Sequence, residues 1–334
     1  MYRSLLGVIC GCSMALTLSA QTPKEKGLET INRNSAEAIV GFLADDEIEG
    51  REAGRQGSRI VARYLVSNLK EAGIAPLFKE GYYQSFEVYQ KERQLKGRWQ
   101  VHPDSVAALK KVTHRVLHMA NVLGYIPGER TDEYVIVGAH FDHLGVDDVL
   151  DGDQIYNGAD DNASGVSAVM QIARAFVASG KKPMRTVIFA FWDGEEKGLL
   201  GSKYFTQTFS EIGKVKGYLN FDMIGRDNKP EEPQYMVYFY TKSHPVFGDW
   251  LKDDIKEYGL KLQPSYRAWD NPVSGSDNAS FALRNIPIIW YHTDWHPDYH
   301  QPSDHADRIN WEKVVEITKA AYLNAWNLAN EETY

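Results

Sequence analysis

YVIVGAHFDHLG, residues 134–145, is the stretch on which the fold turns. Residues 134–139 carry no charge and hold Val135, Ile136 and Val137 in succession. An uninterrupted apolar run of this length, rich in β-branched side chains, predicts a strand covered on both faces, since a strand with one wet face would alternate. His140 and Asp142 follow at once, so polar chemistry begins where the strand ends. Three further runs share this form: residues 186–192, 218–221 and 286–291.

Helical patterns lie between and around them. Val166, Val169, Ile172, Ala173, Phe176 and Val177 share one face of a helix beginning near Gly165. Ile60, Val61, Tyr64, Leu65 and Leu69 do the same over residues 57–72, with Gly73 as a stop, and Val314, Val315, Ala321, Tyr322 and Trp326 predict a C-terminal helix. Further strands are expected near residues 84–89 and 97–101. Apolar strands alternating with helices predict an α/β fold: a single-domain three-layer sandwich with a mixed, mostly parallel central sheet and helices on both faces.

Residues able to bind a metal recur just past the apolar runs, where open α/β sheets place their ligand sites. These are His140 and Asp142, then Glu195 and Glu196 after Asp193-Gly194, then Asp222, then His300. Asp160 and Asp161 precede the helix near Gly165, whose N-terminus favours negative charge. Any single histidine is more often a packed or surface residue, and an acidic pair is usually a solvated loop. Several carboxylates converging at one sheet edge are another matter, because they repel unless cations are present. Two divalent ions with a bridging hydroxide would nearly neutralise three such carboxylates.

The first twenty residues have the pattern of a secretory signal peptide: Arg3, an apolar run over residues 5–18, and Leu18-Ser19-Ala20 before Gln21. The run is shorter than the ~20 residues a membrane span requires. The expectation is export to the periplasm or the extracellular space, with a lipoprotein anchored through Cys12 as the alternative. Both cysteines, Cys10 and Cys12, fall in this segment, so the chain from residue 21 onward must be stabilised by core and metal rather than by a disulfide. The formal net charge of −8 becomes −9 without Arg3, which argues against a nucleic-acid partner because that binding rests on Lys and Arg at phosphates. No later segment is long and apolar enough to be a membrane span.

Taken in order, VGAHFDHLG, NGADDNASG, FWDGEEKGLLGS, NFDMIGR and DYHQPSD resemble the M28 family of zinc aminopeptidases. The upstream stretch LADDEIEGREAGRQGS resembles the leader region of exported bacterial members. The resemblance implies a zinc exopeptidase-like domain over residues 21–334, with no protease-associated insertion, and two zinc ions per chain. One ion would be held by His140, Asp160 and Asp222, the other by Asp160, Glu196 and His300, with Asp160 bridging and a cis peptide between Asp160 and Asp161. Asp142 would accept a hydrogen bond from the liganding imidazole and set its tautomer. Glu195 would be the general base, and Tyr299 would stabilise the oxyanion.

The implied reaction is hydrolysis of the N-terminal bond of peptides or proteins. Three alternatives stand beside it: a glutaminyl-peptide cyclase with a single zinc, a non-catalytic peptide-binding relative, and a carboxypeptidase using Arg226 or Arg267 for the substrate carboxylate. His143, His292, His296 and His305 are expected near the site without completing it. Ser274-Gly275-Ser276-Asp277 resembles a family stretch close to the substrate pocket and reads equally as an ordinary turn, with no catalytic role expected for Asp277. Trp269, Phe281, Trp290 and Trp295 are candidates for an apolar wall of the substrate pocket.

Overall fold

The computed structural model describes residues 21–92, 98–270 and 274–334, so the expected signal segment lies outside the described residues. In chain order the strands are β1 (Ala75–Pro76), β2 (Tyr83–Lys91), β3 (His114–Ile126), β4 (Arg130–His140), β5 (Gly145–Val146), β6 (Ile155–Tyr156), β7 (Arg185–Trp192), β8 (Val215–Phe221), β9 (Tyr235–Tyr240), β10 (Gln263–Ala268) and β11 (Ile288–His292). Nine of them form one mixed sheet in the order β1-β3-β7-β4-β8-β11-β9-β10, with β2 also on β3, while β5 and β6 make a separate ribbon.

The four apolar runs become the adjacent parallel strands β7, β4, β8 and β11 at the centre of the sheet. Antiparallel pairing begins outside them, through β3 on β7 and β9 on β11. Every residue of β7 is buried, as expected for a strand covered on both sides. Along β4, Val135 and Val137 join the larger core cluster and Ile136 the one on the opposite face. The helices Gln56–Glu71, Gly165–Ser179 and Trp311–Asn330 pack their apolar stripes into the first cluster. On the other face, Phe205 of Leu200–Thr208 and Phe281 of Asn278–Ala282 pack on Trp192 and Tyr218.

Register carries this architecture to the site. His140 lies beside Trp192, Ala139 beside Phe221, and Phe221 beside Tyr291. The central strands therefore end level, and the residues that follow them emerge at one edge of the sheet.

Besides the two-residue strands β1, β5 and β6, three longer strands have no counterpart in the sequence reading. β3 has one face partly open and contains His114, Arg115, His118 and Asn121, so no apolar run marks it. β10 is half-exposed along its length and contains Pro264, as edge strands can. β9 is a run of aromatic and apolar residues that reads as readily as packing material for a helix. The strand expected at residues 97–101 is reduced to one bridge between Tyr89 and Gln100, and residue 97 lies outside the described residues.

Candidate metal centre

His140, the last residue of β4, is 1% exposed and points Nε2 at two carboxylates, 3.3 Å from Asp161 Oδ1 and 3.6 Å from Asp222 Oδ1. Asp222 is the first residue after β8. Asp161 comes from the irregular turn Ala159–Ser164 at the entry to the helix Gly165–Ser179. Its second oxygen, Oδ2, faces a different set, 3.2 Å from His300 Nε2 and 3.8 Å from His143 Nδ1. Glu196 completes that side, with Oε1 2.7 Å from His143 Nδ1 and Oε2 3.2 Å from His300 Nε2. Thus the donor atoms of His140, Asp161 and Asp222 lie within 4.8 Å of one another, as do those of His143, Asp161 and Glu196.

This geometry corrects the expected position of the shared carboxylate. Asp160 is fully buried, but its Oδ1 accepts the Gly225 N–H and its Oδ2 lies 3.3 Å from His296 Nε2, on the far side of the turn. Neighbouring side chains diverge at a helix entry, and it is Asp161 that reaches both imidazole sets. The cis peptide is likewise one residue later, at Asp161–Asn162.

Asp142 is also used differently from the expectation. The ring nitrogen Nδ1 of His140 sits 3.2 Å from the Asp142 backbone carbonyl and 3.7 Å from its carboxylate. That carboxylate instead accepts the Glu195 backbone N–H at 3.0 Å, which fixes the turn carrying the Glu195 side chain. Of the remaining histidines, His143 enters the centre itself. His292 Nδ1 meets the Asp222 carbonyl at 2.6 Å, and His305 Nε2 meets Asp153 on the surface. The signal for His143 was present in the sequence: it lies three residues beyond His140, just past the strand end.

The carboxylates and imidazoles of the cluster set one another's charge. Burial alone would push the Asp161 carboxyl up, yet the imidazoles of His143, His140 and His300 hold it well below its ordinary range. Burial disfavours a charge on His140, but Glu195, Asp161 and Asp222 outweigh it and hold the imidazole well above its ordinary pKa. Glu195 is pushed well above the usual carboxyl range by burial, against the pull of His140, with Glu196, Asp222 and Asp277 adding repulsion. Three buried carboxylates and converging imidazoles are a donor set for a hard or borderline divalent cation. His140 Nε2, which faces Asp161 and Asp222, fits that purpose, being buried without a hydrogen-bond partner.

The centre opens on a cavity of about 200 Å³ whose lining includes Asp161, Glu195, Asp222, Tyr299 and His300. Tyr299 stacks on His300 with ring centroids 3.8 Å apart, and burial together with Asp161 and Glu196 pushes its phenol well above its ordinary pKa, so it stays protonated. Trp290, Trp295 and Phe239 also line the cavity, with Trp295 edge-on to Tyr299 at 4.5 Å between ring centroids, and the first two are among the aromatic candidates. Phe281 belongs instead to the core, stacked 3.8 Å from Tyr218, and Trp269 lines a separate depression.

Fold and site together define an α/β protein with a carboxylate–imidazole cluster, a candidate metal centre, at the ends of its central parallel strands. The profile of peptidase family M28 matches residues 121–324, and the chain belongs to that family. It is 38% identical over 170 residues to leupeptin-inactivating enzyme 1 of Streptomyces exfoliatus, covering 50% of this chain and 34% of that protein. It is 30% identical over 205 residues to an aminopeptidase of Pseudomonas aeruginosa, covering 60% of this chain and 32% of the relative. The chain thus spans about a third of the length of these two curated relatives. Its fold is that of the LapA aminopeptidase of Legionella pneumophila, with a TM-score of 0.68 at 22% identity, over 99% of this chain and 81% of that one.

Proposed function

We propose that this chain is an exported zinc aminopeptidase that holds two zinc ions through a shared Asp161. The observation that carries the proposal is the Asp161 carboxylate, with one oxygen facing His140 and the other facing His300, beside a half-buried Glu195 that opens on the same cavity. Family membership and the name of the Pseudomonas relative support the choice of peptide N-termini as substrate. Residues 1–20 are proposed as the export signal, removed before the enzyme acts.

One ion would sit among His140, Asp161 and Asp222, the other among Asp161, Glu196 and His300, with His143 held against Glu196. Bound zinc supplies Lewis acidity, polarising the scissile carbonyl and bringing the pKa of water down to ~7. Glu195 takes the proton from the attacking water and passes it to the leaving amine. The Tyr299 hydroxyl, kept protonated by its surroundings, donates to the oxygen that gains negative charge. Trp290 and Trp295 form the wall against which the N-terminal side chain rests. Arg226 and Arg267 are both engaged by carboxylates, Asp298 at 2.5 Å and Asp294 at 2.9 Å, which weighs against a carboxypeptidase role for either.

The test combines metal analysis with end preference on one purified sample. Peptides with a free amine should be cleaved from the N-terminus, N-acetylated peptides should resist, and about two zinc ions should be found per chain. One zinc with cyclisation of N-terminal glutamine would identify a cyclase instead, and cleavage of N-blocked peptides from the other end a carboxypeptidase.

A further inference from the structure

The leader stretch that precedes the first long helix contributes one side chain to the interior of the site's scaffold. Arg51 is 0% exposed and its backbone has φ of +43°, in the left-handed region, which turns the side chain inward. A guanidinium has five N–H donors. Here they meet five backbone carbonyls: Nε donates to Phe141 at 2.8 Å, Nη1 to Leu43 at 3.3 Å and to Asn157, and Nη2 to Gly158 at 2.7 Å and Asp161 at 2.9 Å. Four of these carbonyls belong to the two turns that carry the site, one after β4 and one before the helix Gly165–Ser179.

The opposite polarity of the same turn is served by another buried group. Asp304, four residues past His300, accepts the backbone N–H of Asp160 at 3.0 Å and of Asp161 at 3.1 Å on its Oδ2. Its own carbonyl accepts the N–H of Ala159 at 2.9 Å, and Arg226 Nη1 lies 3.5 Å from its Oδ1. Arg51 therefore gathers the carbonyls of the Asp161 turn, and Asp304 gathers its N–H groups.

We propose that Arg51 and Asp304 form a buried clamp of opposite charges whose role is to position Asp161, by tying its turn to the His140 turn on one side and to the His300 loop on the other. Arg51 is a positioning residue, for it touches backbone alone and stands behind the carboxylates rather than among them. A surface role is excluded by its burial, and a simple packing role would not require a charge with five separate partners. An ammonium in its place would keep the charge but has only three donors and no fixed fork, so it could not hold both turns at once. The clamp rests on the reading of Asp161 as the shared ligand.

The experiment measures zinc affinity of the full chain by competition with a chromogenic chelator, at a temperature where circular dichroism shows each variant folded, alongside kcat and KM at saturating zinc. Groups that orient metal ligands typically contribute ~10–100-fold to metal affinity or activity. Arg51→Lys and Asp304→Asn should each weaken zinc binding by about that factor and lower kcat, with KM changed less than about threefold. Asp161→Asn serves as the control and should lose zinc more severely than either. Should Arg51→Lys not fold, Asp304→Asn decides alone. Wild-type zinc affinity in folded clamp variants, with Asp161→Asn impaired, overturns the clamp and leaves the site reading standing. Wild-type affinity in Asp161→Asn overturns the shared-ligand reading and the clamp with it.

Discussion

Two buried polar clusters flank the central sheet, and they differ in how completely their groups are satisfied. Beneath the helix Trp311–Asn330, Tyr238 and Tyr291 both donate to Asn324 Oδ1, at 2.7 Å and 2.9 Å, and Asn324 Nδ2 donates to Asp254 at 3.0 Å. At the strand ends, by contrast, His140 Nε2, which faces the Asp161 and Asp222 carboxylates, is buried without a hydrogen-bond partner. A buried polar group with no partner costs roughly 1–3 kcal/mol, so such groups persist where another requirement outweighs stability. The first cluster is built to hold the fold, and the second is left incomplete for a ligand.

That contrast can be broken most sharply at Glu195. Replacement by Gln keeps the shape and removes the proton-carrying function, so kcat should fall by about 10³-fold or more, with zinc content and unfolding midpoint near wild type. Zinc lost together with activity would show Glu195 to be a ligand rather than a base.

In the satisfied cluster the expectation reverses. Asn324→Ala would take their partner from the Tyr291 hydroxyl and the Asp254 carboxyl, while Tyr238 keeps the Phe247 carbonyl, and should cost about 2 kcal/mol in urea denaturation while kcat of the folded enzyme stays within about twofold. A larger loss of kcat than of stability would mean that the two clusters communicate.

The smallest effect concerns pH. Burial pushes Asp254 up to about 7, against the pull of Lys24 and the Asn324 hydrogen bond. Because the folded pKa lies above the unfolded one, the protonated carboxyl favours the fold, and its contribution is lost as pH rises from about 4 through about 7. Asp254→Asn removes the titration, so its melting temperature relative to wild type should rise by a few degrees between pH 4 and pH 8. A difference that stays flat across this range would place the Asp254 pKa near its ordinary value.

Much of the site was legible beforehand because the strands that carry it have a strong local signature. Buried parallel strands are continuous apolar runs, and polar residues at their ends stand out against them, which brought His140, Glu195, Glu196 and Asp222 to one edge without any knowledge of register. His300 follows the fourth run at a longer distance, and the structure sets it 3.2 Å from both Asp161 and Glu196. Arg51 was invisible as a site component, since its partners are backbone carbonyls from residues 43 to 161 and no side-chain pattern announces a backbone contact. β3 and β10 escaped for a related reason: partly open strands mix polar with apolar residues, and pairing alone establishes them.

The amino-acid order by itself determined the layered α/β architecture and the edge at which chemistry collects, because burial on both faces of a strand demands apolar side chains whatever surrounds them. It could not choose between Asp160 and Asp161, which are the same residue type at adjacent positions. That choice belongs to the tertiary structure: the backbone path through residues 158–165, held from outside by groups far away in the chain, turns one carboxylate toward Gly225 and His296 and the other toward the two imidazole sets.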